Sequence, residues 1–406
     1  MFLRNGKIGI FDLSSKETSE EEFVDVGSWE KISSLMVAGD LAKEHGEDSL
    51  VLGTGVLTGS FVPAACAGII RARPDLDGRQ RVMPLLGFAG FELKLSGFDF
   101  IVVKGAAERP GYLWIRDGII DFVPAEEMRT LNSWERTDRI RADQGDAKIQ
   151  VIAGGSWCDQ KNPQAQAVID YWGGEDKAGV GSELGKKNLV ALAIRGMGEL
   201  ELAEPEGHFE DALLLMREHI VKLGESKGLA SYSSVADRAD FAKLVHRSVA
   251  CYGCPFPCRS YLKVEEDPQE FRLVVKEPGY LHYDIPALEK AFELGLSARE
   301  TTIALMNCAK SGAEPYSVLT WASETGEKVT ADSVKEILRN MRDEEHSRIE
   351  RPPGNFEVSF KDSDTYRSCL GLGLCPRYWS KVGFDIAEVG SFAEDAIGKP
   401  LPGASS

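Results

Sequence analysis

The sequence predicts an α+β fold in which a β-rich part, residues 1–205, precedes a helical part, residues 206–406. Two observations lead to this prediction. Short β-branched or alternating segments recur before residue 200, and apolar residues recur at helical spacing from about residue 206 onwards. A chain of 406 residues is long enough to bury two cores, so we place a domain boundary near residue 205.

The first part contains several segments with the pattern of strands. Asp117 and Gly118 separate two of them, and an Asp-Gly pair suits the tight turn of a hairpin because both residues tolerate positive φ. The predicted strands are 6–13, 98–104, the hairpin arms 112–115 and 119–122, and 188–195.

The second part contains segments in which apolar residues follow a helical period. One of them leads directly into a group of cysteines that begins at Cys251. A Pro-Pro-Gly sequence at 352–354 interrupts the pattern further along the chain. The predicted helices are 208–223, 234–250, 285–296, 298–310 and 331–341.

The composition is that of an ordinary soluble protein, with 43% hydrophobic and 27% charged residues. A formal net charge of −17 argues against nucleic-acid binding and favours solubility, and its simplest interpretation is a solvated acidic surface. The first residues contain no apolar run suited to a signal peptide, and no later segment is long enough to span a membrane. We therefore expect a cytoplasmic protein in a reducing compartment.

Three cysteines within eight residues form the most informative pattern of the chain. Cys251, Cys254 and Cys258 have the spacing of a loop that supplies three of the four thiolates of a [4Fe–4S] cluster. Prolines at 255 and 257 prevent this loop from continuing as a helix. A distant cysteine must complete the set; we choose Cys375, with Cys369 as the alternative fourth ligand.

Other uses of these cysteines are weaker interpretations. Zinc sites with four cysteines usually combine two closely spaced pairs, and Cys369 and Cys375 are too far apart for that pattern. Disulfides are disfavoured because nothing in the sequence indicates secretion. Cys66, Cys158 and Cys308 lie among apolar or small residues, and we interpret them as buried small hydrophobic residues.

Several motifs, in order along the chain, resemble those of the aldehyde ferredoxin oxidoreductases. This family comprises tungsten–pterin enzymes of anaerobes that hold a [4Fe–4S] cluster beside the pterin. The resemblance favours Cys375 as the fourth ligand. The motifs are NGKIGIFDLSSKE at 5–17, GTGVLTG at 53–59, FVP at 61–63, GFAGFELKLSGFD at 87–99, KKNL at 186–189, CYGCPFPC at 251–258 and GLC at 373–375.

The chain departs from the family at positions that the resemblance associates with the pterin, whereas the cluster cysteines all remain. A family arginine falls on Ala67, and the leading aspartates of two pterin motifs become Phe292 and Leu370. Buried pterin groups need polar partners, since each one left unpaired costs roughly 1–3 kcal/mol. We therefore expect the tungstopterin or molybdopterin site to be lost or greatly altered. The remaining departures are at 33–36, 82–87, 178–181 and 277–281.

The resemblance and its departures together predict an iron–sulfur protein that transfers electrons without tungstopterin. The expected partner is a redox protein, such as a ferredoxin or a larger oxidoreductase complex, and a homo-oligomer is left open. One alternative is an active tungsten or molybdenum–pterin oxidoreductase of aldehydes or carboxylates with a rebuilt pocket. A second alternative is a structural subunit of a redox complex, in which the cluster only stabilises the fold.

Two further groups of residues are candidates for roles near the cluster. His282, with Tyr280 beside it, is the weak candidate for acid–base catalysis if the chain is an enzyme. Arg259, Arg367 and Arg377 lie close in sequence to the cysteines and offer charge that would offset the thiolates. The interpretation we favour for these arginines is an ordinary surface position.

Overall fold

A computed structural model of the chain describes residues 3–24, 33–73, 81–225, 239–262, 264, 284–330, 333–343 and 363–398. The fold is α+β, as the sequence predicts, with two mixed sheets in the first part and helices in the second. Among the described residues, no helix is long and apolar enough to cross a membrane.

The first sheet has six strands in the order β2-β1-β6-β3-β4-β5. Only β1 and β6 are parallel neighbours; the other pairs in this sheet are antiparallel. The strands are β1 (Lys7–Asp12), β2 (Glu17–Glu22), β3 (Leu50–Thr54), β4 (Gly68–Ala72), β5 (Arg81–Leu85) and β6 (Phe100–Lys104).

The second sheet has five strands in the order β10-β9-β11-β7-β8, and β11 and β7 are its parallel pair. The predicted hairpin joins β7 to β8, with φ of 41° at Asp117 and 80° at Gly118. These positive φ values are those that an Asp-Gly turn requires. The strands are β7 (Gly111–Arg116), β8 (Ile119–Pro124), β9 (Gln150–Ala153), β10 (Val168–Ile169) and β11 (Leu189–Arg195).

Helices cover the sheets and form most of the second part. Those of the first part are α1 (Ser34–His45), α2 (Ala89–Leu95), the 3-10 helix Glu126–Thr130, α3 (Ser133–Gln144), α4 (Ser156–Asp159) and α5 (Val180–Lys186). Those of the second part are α6 (Pro205–Glu225), α7 (Ala239–Ala242), α8 (Ile285–Glu293), α9 (Ala298–Ser311), α10 (Pro315–Thr325), α11 (Val334–Asp343), α12 (Ser363–Gly371), α13 (Pro376–Val382) and α14 (Ile386–Ile397).

The predicted helix 234–250 is wrong in its second half. Residues 245–249 form β12 (Val245–Val249), which pairs with β13 (Arg259–Leu262) as an antiparallel hairpin. The sequence of β12, Val-His-Arg-Ser-Val, contains β-branched valine at both ends, and pairing with a partner strand decides its conformation. The first residues of the predicted helix, 234–238, lie outside the described part of the chain.

The two faces of the first sheet belong to different hydrophobic cores. Ile101 and Val103 face the second sheet, together with Leu113 and Ile194 from that sheet. Val102, which has the opposite orientation, belongs to a core that also contains side chains of α1, α6 and α12 to α14. This second core includes the cysteine loop and contains residues from both sides of position 205. The domain boundary near residue 205 stays a prediction.

Candidate functional site

The loop of the β12–β13 hairpin carries the three closely spaced cysteines. Pairing of Val249 with Arg259 holds the two ends of the loop together, so Cys251 and Cys258 lie close to each other. Both are buried, and Cys254 is half-buried. The Cys254 amide donates to the Cys251 carbonyl at 3.2 Å, and Gly253 has φ of +59° in this turn.

Residues 64–67 connect this loop to the segment that carries Cys375. The Ala64 amide donates to the Gly253 carbonyl at 2.9 Å, while the Ala64 carbonyl accepts from the Cys375 amide at 2.9 Å. The Ala67 amide donates to the Gly373 carbonyl at 2.9 Å. Backbone hydrogen bonds between three chain segments therefore bring Cys375 to the cysteine loop.

The four cysteines selected from the sequence lie within electrostatic reach of one another. Burial raises the pKa of Cys258 to about 12, and the charges of Cys251 and Cys375 act in the same direction. Burial also raises the pKa of Cys254, and the other three thiols add to this effect. Since each of these pKa changes depends on neighbouring sulfurs, the structure brings all four thiols to one site.

Cys369 lies beside Cys375 but at a different position. It is buried on α12, where its Sγ is 3.8 Å from the Leu374 carbonyl oxygen. Burial raises the pKa of Cys369, and Cys375 is the neighbouring thiol that adds to this effect. Cys254 and Cys258, in contrast, interact with Cys375. This arrangement favours Cys375 over Cys369 as the fourth thiol of the site.

A fifth thiol belongs to the same group. Cys66 is fully buried, and its interactions with Cys251 and Cys375, followed by burial, raise the pKa of Cys66 well above its usual range. The interaction with Cys66 lowers the pKa of Cys251, against the effect of burial. The sequence therefore predicted correctly that Cys66 is buried, but it did not predict that other thiols lie near it. Its neighbours in sequence contained no signal that it lies close to the cysteine loop.

Two buried arginines adjoin the thiols. Arg259 places Nη2 3.4 Å from Cys251 Sγ and its guanidinium carbon 4.8 Å from the centre of the Trp172 ring. Arg377 forms an ion pair with the buried Glu175, with Nη2 3.0 Å from Oε1. Both arginines are at most 5% exposed, so the expectation of surface positions is wrong for them. The guanidinium groups of Arg259 and Arg377 therefore place positive charge beside the sulfurs.

The expectation of a surface position holds for Arg367, which is exposed. His282 and Tyr280 lie outside the described residues, and their candidate role stays a prediction. Glu175 was missed by the sequence analysis because it precedes the altered glycine-rich stretch at 178–181 and follows no cysteine motif.

The sulfurs of the described cysteines are not drawn together as tightly as the four thiolates of a single zinc ion. Four thiolates on zinc lie about 3.8 Å apart, since each Zn–S bond is about 2.3 Å in a tetrahedral site. In the described part of the chain, no three thiols of this site have sulfurs that all lie within 4.8 Å of one another. A four-iron cube separates its thiolates further, and the donor set of cysteine sulfurs suits iron.

Several of the positions that the resemblance associates with the pterin lie in apolar packing. Ala67, Leu85 and Leu370 are fully buried in hydrophobic cores. A Cβ added to Gly55 would lie 2.1 Å from the backbone nitrogen of Gly373, so the backbones of these two loops are in direct contact. Alkyl side chains do not hydrogen-bond, and these residues do not fit the polar groups of a pterin.

Comparison with known proteins identifies the relatives of this chain. A family profile for the N-terminal domain of aldehyde ferredoxin oxidoreductase matches residues 11–196. The tungsten-containing aldehyde ferredoxin oxidoreductase of Pyrococcus furiosus is 26% identical over 244 residues, which are 52% of this chain and 40% of that protein. The aliphatic sulfonate oxidoreductase WOR-like subunit of the same organism is 26% identical over 250 residues. The chain thus spans about 40% of the length of these curated relatives.

A solved structure shares the fold over nearly the whole chain. It is described as the active site complex BamBC of benzoyl coenzyme A reductase in complex with 1,5-dienoyl-CoA. The TM-score is 0.68 at 18% identity, and the match covers 97% of this chain and 64% of the other. At this identity the similarity concerns the fold.

Proposed function

Because the chain belongs to the aldehyde ferredoxin oxidoreductase family through its N-terminal domain, we propose that it is an iron–sulfur protein that transfers electrons without tungstopterin. In this proposal Cys251, Cys254, Cys258 and Cys375 hold one [4Fe–4S] cluster. When bound, such a cluster accepts and releases single electrons. Its partner would be a redox protein, such as a ferredoxin or another subunit of an oxidoreductase complex.

The observation that carries the proposal is the convergence of four thiols and two buried guanidinium groups at one site. Thiolates bind iron, and a buried negative site needs nearby positive charge. Arg259 and Arg377 supply that charge, while the surrounding core keeps water away from Cys375. In an electron carrier, the thiols would bind the cluster, the core would shield it from water, and the two arginines would offset its negative charge.

Apolar residues at positions that the family resemblance associates with the pterin support the proposal that this protein works without tungstopterin. Val82, Leu85 and Leu370 stand where the family resemblance places polar contacts. A pterin would leave its polar groups unpaired against these side chains, and each such loss costs roughly 1–3 kcal/mol.

The cysteine loop reaches the surface on one side, which an electron-transfer role requires. Gly253 and Pro257 are exposed and Cys254 is half-buried. An apolar groove beside the loop is lined by residues that include Ile220, Leu223 and Phe256. This edge is where a redox partner would approach the cluster most closely.

Metal analysis of anaerobically purified protein tests the proposal directly. Cells would be supplied with iron, tungsten, molybdenum and zinc, and we expect about four irons per chain, no stoichiometric tungsten or molybdenum, and a signal of a reduced cubane in electron paramagnetic resonance. Stoichiometric tungsten or molybdenum would refute the loss of the pterin site.

Paired cysteine variants test the ligand set. We expect Cys375→Ala to lose most of its iron, because a thiolate ligand is missing, and Cys369→Ala to retain it. Both residues are buried and lie on adjacent segments, so each variant serves as the control for the other. The opposite result would assign Cys369 as the ligand.

The second candidate is an active pterin-dependent oxidoreductase with a rebuilt pocket. It is favoured by the fold similarity over 97% of the chain to a structure described as an active site complex. Viologen-linked oxidation of aldehydes, together with bound tungsten or molybdenum, would establish it. A purely structural cluster is the third candidate. It predicts a cluster that cannot be reduced and reoxidised while the protein stays folded.

A further inference from the structure

Tyr252 lies in the cysteine loop, directly after the proposed ligand Cys251. Its ring stacks on Phe91 of α2, with the ring centres 3.7 Å apart and the ring planes inclined by 8°. Phe88, which directly precedes α2, meets the same ring in an edge arrangement with 6.4 Å between the ring centres. Two aromatic side chains from one short segment of the first part therefore contact one side chain of the cysteine loop.

Hydrogen bonds fix the backbone of Tyr252 as well as its ring. The Tyr252 amide donates to the Gly87 carbonyl at 3.0 Å, and the Tyr252 hydroxyl donates to the Gly59 carbonyl at 3.4 Å. Gly87 lies four residues before Phe91, so the amide contact and the stacking contact come from the same stretch of chain. Because these contacts act on the residue next to Cys251, they restrict the Cys251 end of the loop.

The same stretch packs against the arginine beside Cys251. A Cβ added to Gly87 would lie 3.2 Å from Arg259 Nη2, so the Gly87 backbone and this guanidinium are close neighbours. Arg259 Nη2 is in turn 3.4 Å from Cys251 Sγ. Residues 87–91 therefore lie against the backbone and the ring of Tyr252 and against the charge that pairs with the Cys251 sulfur.

The rest of the loop lies nearer to solvent. Gly253 and Pro257 are exposed, and Cys254 is half-buried. Segments with few buried contacts open at a lower free energy than the core does, and a loop that opens moves its thiolates away from a bound cluster. An anchor at the Cys251 end limits this opening.

We propose that Tyr252 and Phe91 are positioning residues of the cluster site, whose stacked rings hold the Cys251 end of the loop in place so that its thiolates stay on the cluster. This inference rests on the proposed function. A loop that is already held needs little further ordering, whereas a free loop loses conformational entropy each time it closes on the cluster. Loss of the stack should therefore favour loop opening and the release of iron.

The test follows iron release from the full chain, purified anaerobically, into excess bathophenanthroline disulfonate. Tyr252→Leu and Phe91→Leu each remove one ring of the stack, whereas Tyr252→Phe keeps both rings and loses only the hydroxyl. Phe91→Leu leaves the sequence of the cysteine loop unchanged, so the test does not depend on one variant folding. Phe122→Leu is the matched control, because Phe122 is likewise half-buried but packs on the core between the sheets, to which the site cysteines do not belong.

Iron release is compared at temperatures equally far below the melting temperature of each protein. We expect the two leucine variants to release iron about 2 to 10 times faster than the wild type, because an aromatic pair corresponds to a factor of about that size in the opening equilibrium. Tyr252→Phe and Phe122→Leu should release iron at the wild-type rate. Leucine variants that are purified without iron, beside an iron-loaded Phe122→Leu, would show the same effect at its limit.

Three results would overturn the inference while leaving the cluster proposal intact. The first is a wild-type release rate in either folded leucine variant. The second is equal acceleration in Phe122→Leu, since a general loss of stability would then account for it. The third is release from Tyr252→Phe as fast as from Tyr252→Leu, which would assign the effect to the hydroxyl. Wild-type protein without iron would instead refute the proposed function, and the inference with it.

Discussion

At the scale of single residues, charge balance dominates the cysteine site. Four thiolates placed in a core are costly unless positive groups lie close to them, since burial of an unpaired charge is strongly unfavourable. Arg259 and Arg377 are buried beside the sulfurs, and Glu175 offsets part of their charge through its ion pair with Arg377. The net positive contribution of these groups favours the more negative, reduced state of a bound cluster.

Replacement of Arg259 tests this role. We expect Arg259→Gln to retain iron and to lower the midpoint potential, because a cation 3.4 Å from Cys251 Sγ is removed. Arg367→Gln is the control, since Arg367 is exposed and lies eight residues before Cys375 in the sequence. Equal potentials for the two variants in the same titration would show that the buried guanidinium does not tune the cluster.

At the scale of elements, the loop between α12 and α13 depends on close backbone contact. Gly373 has φ of +93°, and a Cβ at this position would lie 2.1 Å from Thr58 Oγ1. Gly55 contacts the same loop, and a Cβ on Gly55 would lie 2.1 Å from the backbone nitrogen of Gly373. Two glycines therefore allow the loop that carries Cys375 to pack directly against the 55–58 segment.

A pair of glycine substitutions separates the two demands on Gly373. Gly383 has a similar φ of +90°, and nothing lies within 4 Å of an added Cβ. We expect Gly383→Ala to cost about 1–3 kcal/mol through backbone strain alone and to retain iron. Gly373→Ala should destabilise the protein more and lose iron, as measured by melting temperature and iron per chain. Equal effects of the two variants would contradict the role of close packing.

Contact between α6 and α13 predicts a pH dependence of stability. His219 is buried with Nδ1 2.8 Å from the Tyr378 hydroxyl oxygen, and burial lowers the pKa of His219 to about 4. The unfolded chain, with a histidine pKa near about 6.5, binds the proton first as pH falls. This histidine therefore stabilises the fold above about pH 6.5 and loses that contribution between about 6.5 and 4.

The variant His219→Gln should flatten this dependence. Melting temperatures would be measured for the wild type and the variant across the same pH range. The wild type should lose stability more steeply between about pH 6.5 and 4, because only it carries the titrating imidazole at this position. Parallel curves for the two proteins would show that His219 does not titrate on unfolding.

At the scale of the whole molecule, one buried lysine joins the first part of the chain to the helical part. Lys177 places Nζ 2.6 Å from Asp284 Oδ2 and 2.5 Å from Glu314 Oε1. The two carboxylates also cap helices, since Asp284 accepts from the Ala287 amide and Glu314 from the Ser317 amide. Charge pairing and helix capping thus fix α8 and α10 against the loop before α5.

Removal of the lysine charge should have a large effect. We expect Lys177→Met to lower the free energy of unfolding by about 3–5 kcal/mol, because two buried carboxylates lose their partner. Lys43→Met is the control: Lys43 pairs with Asp40 at 3.0 Å on the exposed side of α1, and its loss should change stability little. Chemical denaturation measures both, and similar values would refute the importance of the buried triad.

The sequence alone determined those features that depend on neighbours along the chain. Alternation and turn residues located the hairpin around Asp117 and Gly118. Helical spacing located α6 and α9, and the short intervals between Cys251, Cys254 and Cys258 identified one loop as a candidate site. These predictions succeeded because period, turn chemistry and spacing are local properties.

Tertiary structure decided what lies around that loop. Cys66 precedes Cys251 by 185 residues (251 − 66), and Arg377 follows it by 126 residues (377 − 251). Both nevertheless lie close enough to Cys251 to affect its pKa. The strand at 245–249 depends on pairing with β13 rather than on its own propensity. The physical reason is that burial, charge pairing and strand pairing arise between segments far apart in the chain, and the local pattern of either segment does not encode its partner.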